Sequence, residues 1–192
     1  MCGQNRLKKN ALGMSLVEAA VILAVSAVVL TVTLPRFGET RRAAALRGAA
    51  QQIHGLIYRC RVFAIRSQQA HGLVFEQGED GSWRCFIAKD GDGDGILRRD
   101  IQRRVDPIVS EVIFFEAGAA GLGILRSEFV PDPSGRGRLR GNLRDPVRAG
   151  RGDIITFTRR GTATPSSLYF TDYSSRMRVL RVYGGTGRAV QL

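Results

Sequence analysis

The chain is poor in the residues on which most enzymes and metal proteins depend. Its three cysteines, Cys2, Cys60 and Cys85, are too few for a fold stapled by disulfides. No Cys-x-x-Cys pair and no His/Cys cluster offers a tetrahedral zinc site. The two histidines, His54 and His71, stand in no Ser/His/Asp or Cys/His arrangement. A non-enzyme is therefore expected. Aromatic residues make up only 7% of the chain while glycines number 23, which implies many turns and a modest core. No internal repeat is visible. With 192 residues there is room for one globular domain and an anchor, and too little for two comfortable cores.

Positive charge is abundant. The formal net charge is +12 and the isoelectric point about 10.9, basic enough to raise nucleic acid or an anionic membrane as a partner. The hydrophobic content is an ordinary 44%, but it is unevenly spread. Residues 1–13 carry Arg6, Lys8 and Lys9 and no acid, and from Leu16 to Leu34 the only charge is Glu18. About 20 apolar residues in a helix match the hydrocarbon thickness of a bilayer. Basic residues in front of the run place that end in the cytoplasm and the rest of the chain outside it. An ordinary signal peptide would be cut after such a run, and a plain anchor would not be cut at all. Neither accounts for an acid at the start of the span, where a charge is costly and so usually has a function.

The basic leader, the sequence Gly13-Met14-Ser15-Leu16-Val17-Glu18 and the apolar helix behind it resemble the type IV prepilin class. The resemblance implies cleavage between Gly13 and Met14 by prepilin peptidase and methylation of the new amino group. Met14 stands where Phe is commonest in that class. Glu18 matches the class glutamate thought to pair with a neighbouring subunit's terminal amine, and a carboxylate in low dielectric is tolerable when a cation meets it. Pro35 matches the class helix proline and is expected to kink or locally melt the helix. Cys2 has no apolar segment before it, so it does not form a lipobox and would leave with the leader.

Residues 36–69 are expected to continue the helix in amphipathic form. Leu46, Ala49, Ala50, Ile53, Leu56, Ile57, Cys60, Phe63 and Ala64 recur every three or four positions and form a stripe suited to packing on a sheet. Residues 70–192 read as a β-rich periplasmic domain. The predicted strands are 71–76, 82–89, 109–116, 124–130, 153–159, 167–171, 177–183 and 188–192. The Arg-, Gly- and Pro-rich stretch 131–152 is expected to be a mobile loop. The fold class is thus α+β: a long N-terminal hydrophobic helix packed on antiparallel β-sheets of a C-terminal globular domain. Two downstream segments narrow the resemblance to the GspH/FimT-type minor pilins and pseudopilins. They are Asp90-Gly91-Asp92-Gly93-Asp94-Gly95 and the pair Ile154–Gly161 with Leu168-Tyr169-Phe170.

Three groups of residues stay open. Asp90, Asp92 and Asp94 alternate with glycine, which suits either Ca²⁺, with Asp100 as an approximate closing ligand, or a plain acidic turn. Cys60 and Cys85 would form a disulfide in an oxidising compartment or stay as two buried thiols. The arginines of 131–152 and of the C-terminal strands would attract phosphates without reading sequence, or simply make a soluble surface. Some FimT-type members bind DNA through a Gly-Arg-x-Arg element, and Gly187-Arg188-Ala189-Val190 keeps the glycine and first arginine but not the second. Arg176, Arg178 and Arg188 are the candidates here. The resemblance implies a single-pass inner-membrane subunit of a type IV pilus or a type II secretion pseudopilus. Its partners would be other pilins or pseudopilins, prepilin peptidase and the inner membrane, with DNA as the alternative ligand.

Overall fold

The structure, a computed structural model, describes residues 15–116, 120–125, 130, 132, 137–139, 141–150 and 152–192, without the side chains of 32–37. The leader, the Gly13–Met14 bond and the Pro35 ring lie outside the described residues. The chain divides into two compact units between Thr40 and Arg41.

Helix α1 (Leu16–Ser67) is continuous over 52 residues and belongs to both units. In the first unit it is apolar on every side and its side chains are exposed, from Leu16 and Val17 to Val29 and Leu30. Ser26 and Thr31 return their hydroxyl protons to Ile22 and Ala27 carbonyls, so these polar groups are satisfied within the helix. Among the described residues, no helix is long and apolar enough to cross a membrane.

In the second unit the helix carries the expected stripe. Leu46, Ala50, Ile53, Ile57, Cys60 and Ala64 are buried, and Phe63 is half-buried against them. The helix stops at Ser67, where Gln68 takes a left-handed φ of 57° and its side-chain amide donates to the Ile65 carbonyl.

Two antiparallel sheets meet this stripe in one core. The first has β1 (His71–Gln77), β2 (Trp83–Lys89), β3 (Ile113–Phe115) and β6 (Ile154–Phe157), in the order β3-β2-β1-β6. The second runs β4 (Gly121–Leu122), β7 (Ser166–Thr171), β8 (Met177–Tyr183), β9 (Arg188–Gln191), with β5 (Val147–Arg148) also on β7. Leu73, Phe75, Ile87, Phe157, Leu168, Phe170 and Leu180 point inward at alternate positions onto the helix. The expected α+β class, a long helix packed on antiparallel sheets, is what the second unit shows.

The differences are local. Ile124 and Leu125 are not strand; Ile124 instead joins Val130, Leu139, Tyr169 and Val179 in a small cluster on the outer face of the second sheet. The stretch expected to be a loop supplies β5, and Val147 is buried in the main core. A short helix α2 (Arg98–Gln102), unexpected from the sequence, covers the outer face of the first sheet beside Ile96.

The turns at Gly161 and Gly187 touch. A side chain at Gly187 (φ 60°) would collide with the Gly161 carbonyl, to which Arg61 Nε also donates at 3.2 Å. One arginine of α1 thus ties the β6–β7 turn beside the turn that launches β9.

Candidate functional site

The site residues fall into three places. The first is the exposed apolar helix. Glu18 lies in its first turn and is exposed, where a negative charge suits the helix N-terminus.

The second is the acidic turn after β2. One carboxylate oxygen each from Asp90, Asp92 and Asp94 lies within 4.8 Å of the others. The turn is also held by its own backbone. Asp90 accepts the N–H groups of Gly93 (2.7 Å) and Gly95 (3.2 Å) on its two oxygens. Buried Asp106 accepts those of Gly91 and Leu97, both at 3.0 Å. Gly91 packs so close to the Val105 carbonyl that no side chain fits there. Loss of solvent, a hydrogen bond that the protonated carboxyl donates to Asp92 and the charges of Asp92 and Asp100 raise the Asp94 carboxyl above its ordinary value, and Arg99 offsets part of this. Asp100 is turned to Arg99 at 3.1 Å and is not in the group of three. Three converging carboxylates offer a hard, oxygen-preferring cation such as Ca²⁺ a partial ligand set.

The third is the arginine-rich side, where the structure separates the sequence candidates. Arg176 and Arg178 line one groove of about 560 Å³ with Arg47 of α1, Ser175 and Leu192. Arg188 lines a different, smaller one with His54, Tyr58 and Arg61. Arg188 pairs with Tyr183, five residues along β8 from Arg178, or roughly 16 Å at strand spacing. Arg47 was not singled out from the sequence; its place one position after buried Leu46 was the available signal. The turn before β8 was missed too. Asp172 Oδ1 accepts the N–H groups of Ser174, Ser175 and Arg176 at 3.0–3.1 Å. Burial pushes the Asp172 carboxyl up, but these hydrogen bonds outweigh it and hold the pKa at about 2.

Cys60 and Cys85 are both free thiols, both buried in the main core. Burial pushes Cys85 up to about 12 and raises Cys60 as well, so neither is a ready thiolate. His54 is exposed, with Nε2 3.4 Å from the Ala189 carbonyl oxygen; His71 is buried beside the Gln69 carbonyl at 3.1 Å, and burial lowers its pKa.

These features define an α+β domain led by an exposed apolar helix, with an acidic turn and separate basic grooves. No family model and no curated protein matches the chain. In structure it is similar to the type IV minor pilin FimU of Pseudomonas aeruginosa, at 17% identity and a TM-score of 0.43, over 80% of this chain and 91% of that one. It is also similar to EpsH, the minor pseudopilin of the type II secretion system of Vibrio cholerae, at 12% identity and a TM-score of 0.43, over 79% of this chain and 94% of that one.

Proposed function

We propose that the chain is a minor pilin or pseudopilin: a single-pass inner-membrane subunit, cut after Gly13 by prepilin peptidase and built into a type IV pilus or type II secretion pseudopilus. The observation that carries this reading is the first half of α1, apolar on all sides and exposed, with Leu16 at 87%. An all-round apolar helix needs lipid or other helices around it. The glycine–methionine junction in front of it and Glu18 in its first turn supply the rest of the pattern. The filament-core helices of neighbouring subunits would surround it, and Glu18 would meet a neighbour's new terminal amine. Edman sequencing of the protein from cells tests this. A mature chain beginning at a methylated Met14 is expected; one beginning at Met1, or lacking the apolar run, would sink the reading.

A second reading, a DNA-binding subunit, rests on the groove where Arg47, Arg176 and Arg178 converge on one opening. Guanidinium groups suit phosphate contact without sequence readout. In a gel shift at physiological salt, Arg178→Ala is expected to weaken binding and to flatten its salt dependence by about one unit. No shift for the parent protein would discard this reading.

A further inference from the structure

The charges of the second unit are segregated along the chain, the acidic stretch supplying three strands of the first sheet and the basic stretch its fourth, β6, with most of the second sheet. From His71 to Glu116 there are ten carboxylates against six basic side chains, and from Val147 to Leu192 two carboxylates against eight arginines. Among the described residues, each sheet also ends in a strand with no further strand paired beyond it, His54 of α1 reaching only the Ala189 carbonyl of β9, at 3.4 Å. At one, the segment Pro107–Phe115 runs along β2. Lys89 N–H donates to the Pro107 carbonyl at 3.0 Å, Val109 N–H to that of Ile87 at 2.8 Å, and Ile87 N–H to the Ser110 hydroxyl at 2.8 Å before β3 resumes the ladder. Its outward side chains are exposed and apolar: Ile108, Val109, Val112 and above all Phe114, at 67%. Glu111 and Glu116 flank them and are exposed, while Arg84, opposite Phe114 on β2, is paired with Glu76 at 2.6 Å. At the other, β9 is the last strand of the second sheet, with Val190 and Leu192 exposed and Arg188 at its start. Arg181, lying over the Tyr183 ring at 5.7 Å, stands beside it on β8 opposite Val190.

We propose that these two edges dock on each other between copies of this chain, the acidic edge around Phe114 of one copy against the basic edge β9 of the next. Exposed apolar side chains gathered on a sheet edge mark a contact surface. The charges choose the pairing. Two acidic edges repel, as do two basic ones, so a two-fold dimer through either edge is disfavoured, whereas unlike edges attract. A contact between different patches of identical subunits is head-to-tail, and it propagates along a row of copies. The inference rests on the filament-subunit reading for the setting in which copies line up.

The full chain in detergent, in a Cys2→Ser background, tests it. A Phe114→Cys copy mixed with a Val190→Cys copy under mild oxidation is expected to give the mixed disulfide dimer in excess of either symmetric one. Glu111→Arg on the first copy should lower that yield by about fivefold, and Arg188→Glu on the second should restore it. No mixed dimer, symmetric dimers in equal yield, or indifference to the charge swap would overturn the proposal. So would cross-linking in cells that joins Phe114→Cys only to a different protein. A chain correctly processed at Met14 that fails the mixing test would refute this contact and leave the filament reading intact.

Discussion

The two halves of α1 are both rich in apolar residues and meet opposite fates. From Leu16 to Leu30 the large apolar side chains are exposed, while Leu46, Ile53, Ile57 and Cys60 are sealed under two sheets. What differs is the arrangement. The first half has apolar groups all round with one charge; the second confines them to a stripe and fills the other faces with arginine and glutamine. A stripe can be satisfied by sheets from the same chain, but a fully apolar cylinder needs apolar surroundings on every side, which the described residues do not place around it.

The sharpest way to break this comparison is to truncate each half. Ile53→Ala should cost the domain about 3 kcal/mol, because the buried site cannot fully collapse. Val21→Ala should leave the same urea transition within about 0.5 kcal/mol. Fluorescence of Trp83, the single tryptophan and a buried one, reports both. Equal losses would mean that the exposed half also supports the domain.

Asp172→Ala comes next, at about 2 kcal/mol, since three backbone donors lose a charged acceptor. The same group sets a pH dependence. Its folded pKa of about 2 lies below the unfolded value near 3.9. Its contribution is therefore complete above about pH 4 and is lost as pH falls toward about 2. The parent protein should show this acid loss of unfolding free energy, and Asp172→Asn should lack it.

Asp90→Ala should cost about 1.5 kcal/mol with or without calcium, because Gly93 and Gly95 lose their acceptor. Any further stabilisation by millimolar Ca²⁺ in the parent that Asp92→Asn abolishes would be the work of a bound ion. Thermal melts in calcium and in chelator separate the two parts. The smallest effect on the domain is expected from Glu18→Gln. Its melt should match the parent, while its recovery in sheared filaments should fall. Unchanged recovery would remove Glu18 from assembly.

Much of this was legible because periodicity is a local signal. Eight of the nine stripe residues are buried and Phe63 is half-buried; β8 occupies the residues expected for it, and β1, β2 and β7 differ by a residue at an end. The misses share a cause. Val147 and Leu139 sit among Arg, Gly and Pro, so composition spoke for a loop, yet one apolar side chain each suffices to seat them on the second sheet. Ile124 lost its place in a strand to a tertiary cluster with Tyr169 and Val179. The acidic turn was legible as a cluster, but the brace from Asp106 comes from fifteen residues away and leaves no local pattern. The grooves were the least legible, since Arg47 and Arg178 come together only when α1 lies on the second sheet.

The order in which the chain is made gives Arg61 and Gly187 a further consequence. The helix stripe emerges early, whereas the second sheet that helps to cover it is completed only with β9. The stripe from Leu46 to Ala64 can therefore be seated in part by β1 to β3 while the second sheet is still being made, and the core closes only after β9 has left the ribosome. Loss of β8 and β9 would uncover the part of that segment that the second sheet seats and leave it open to chaperones and proteases.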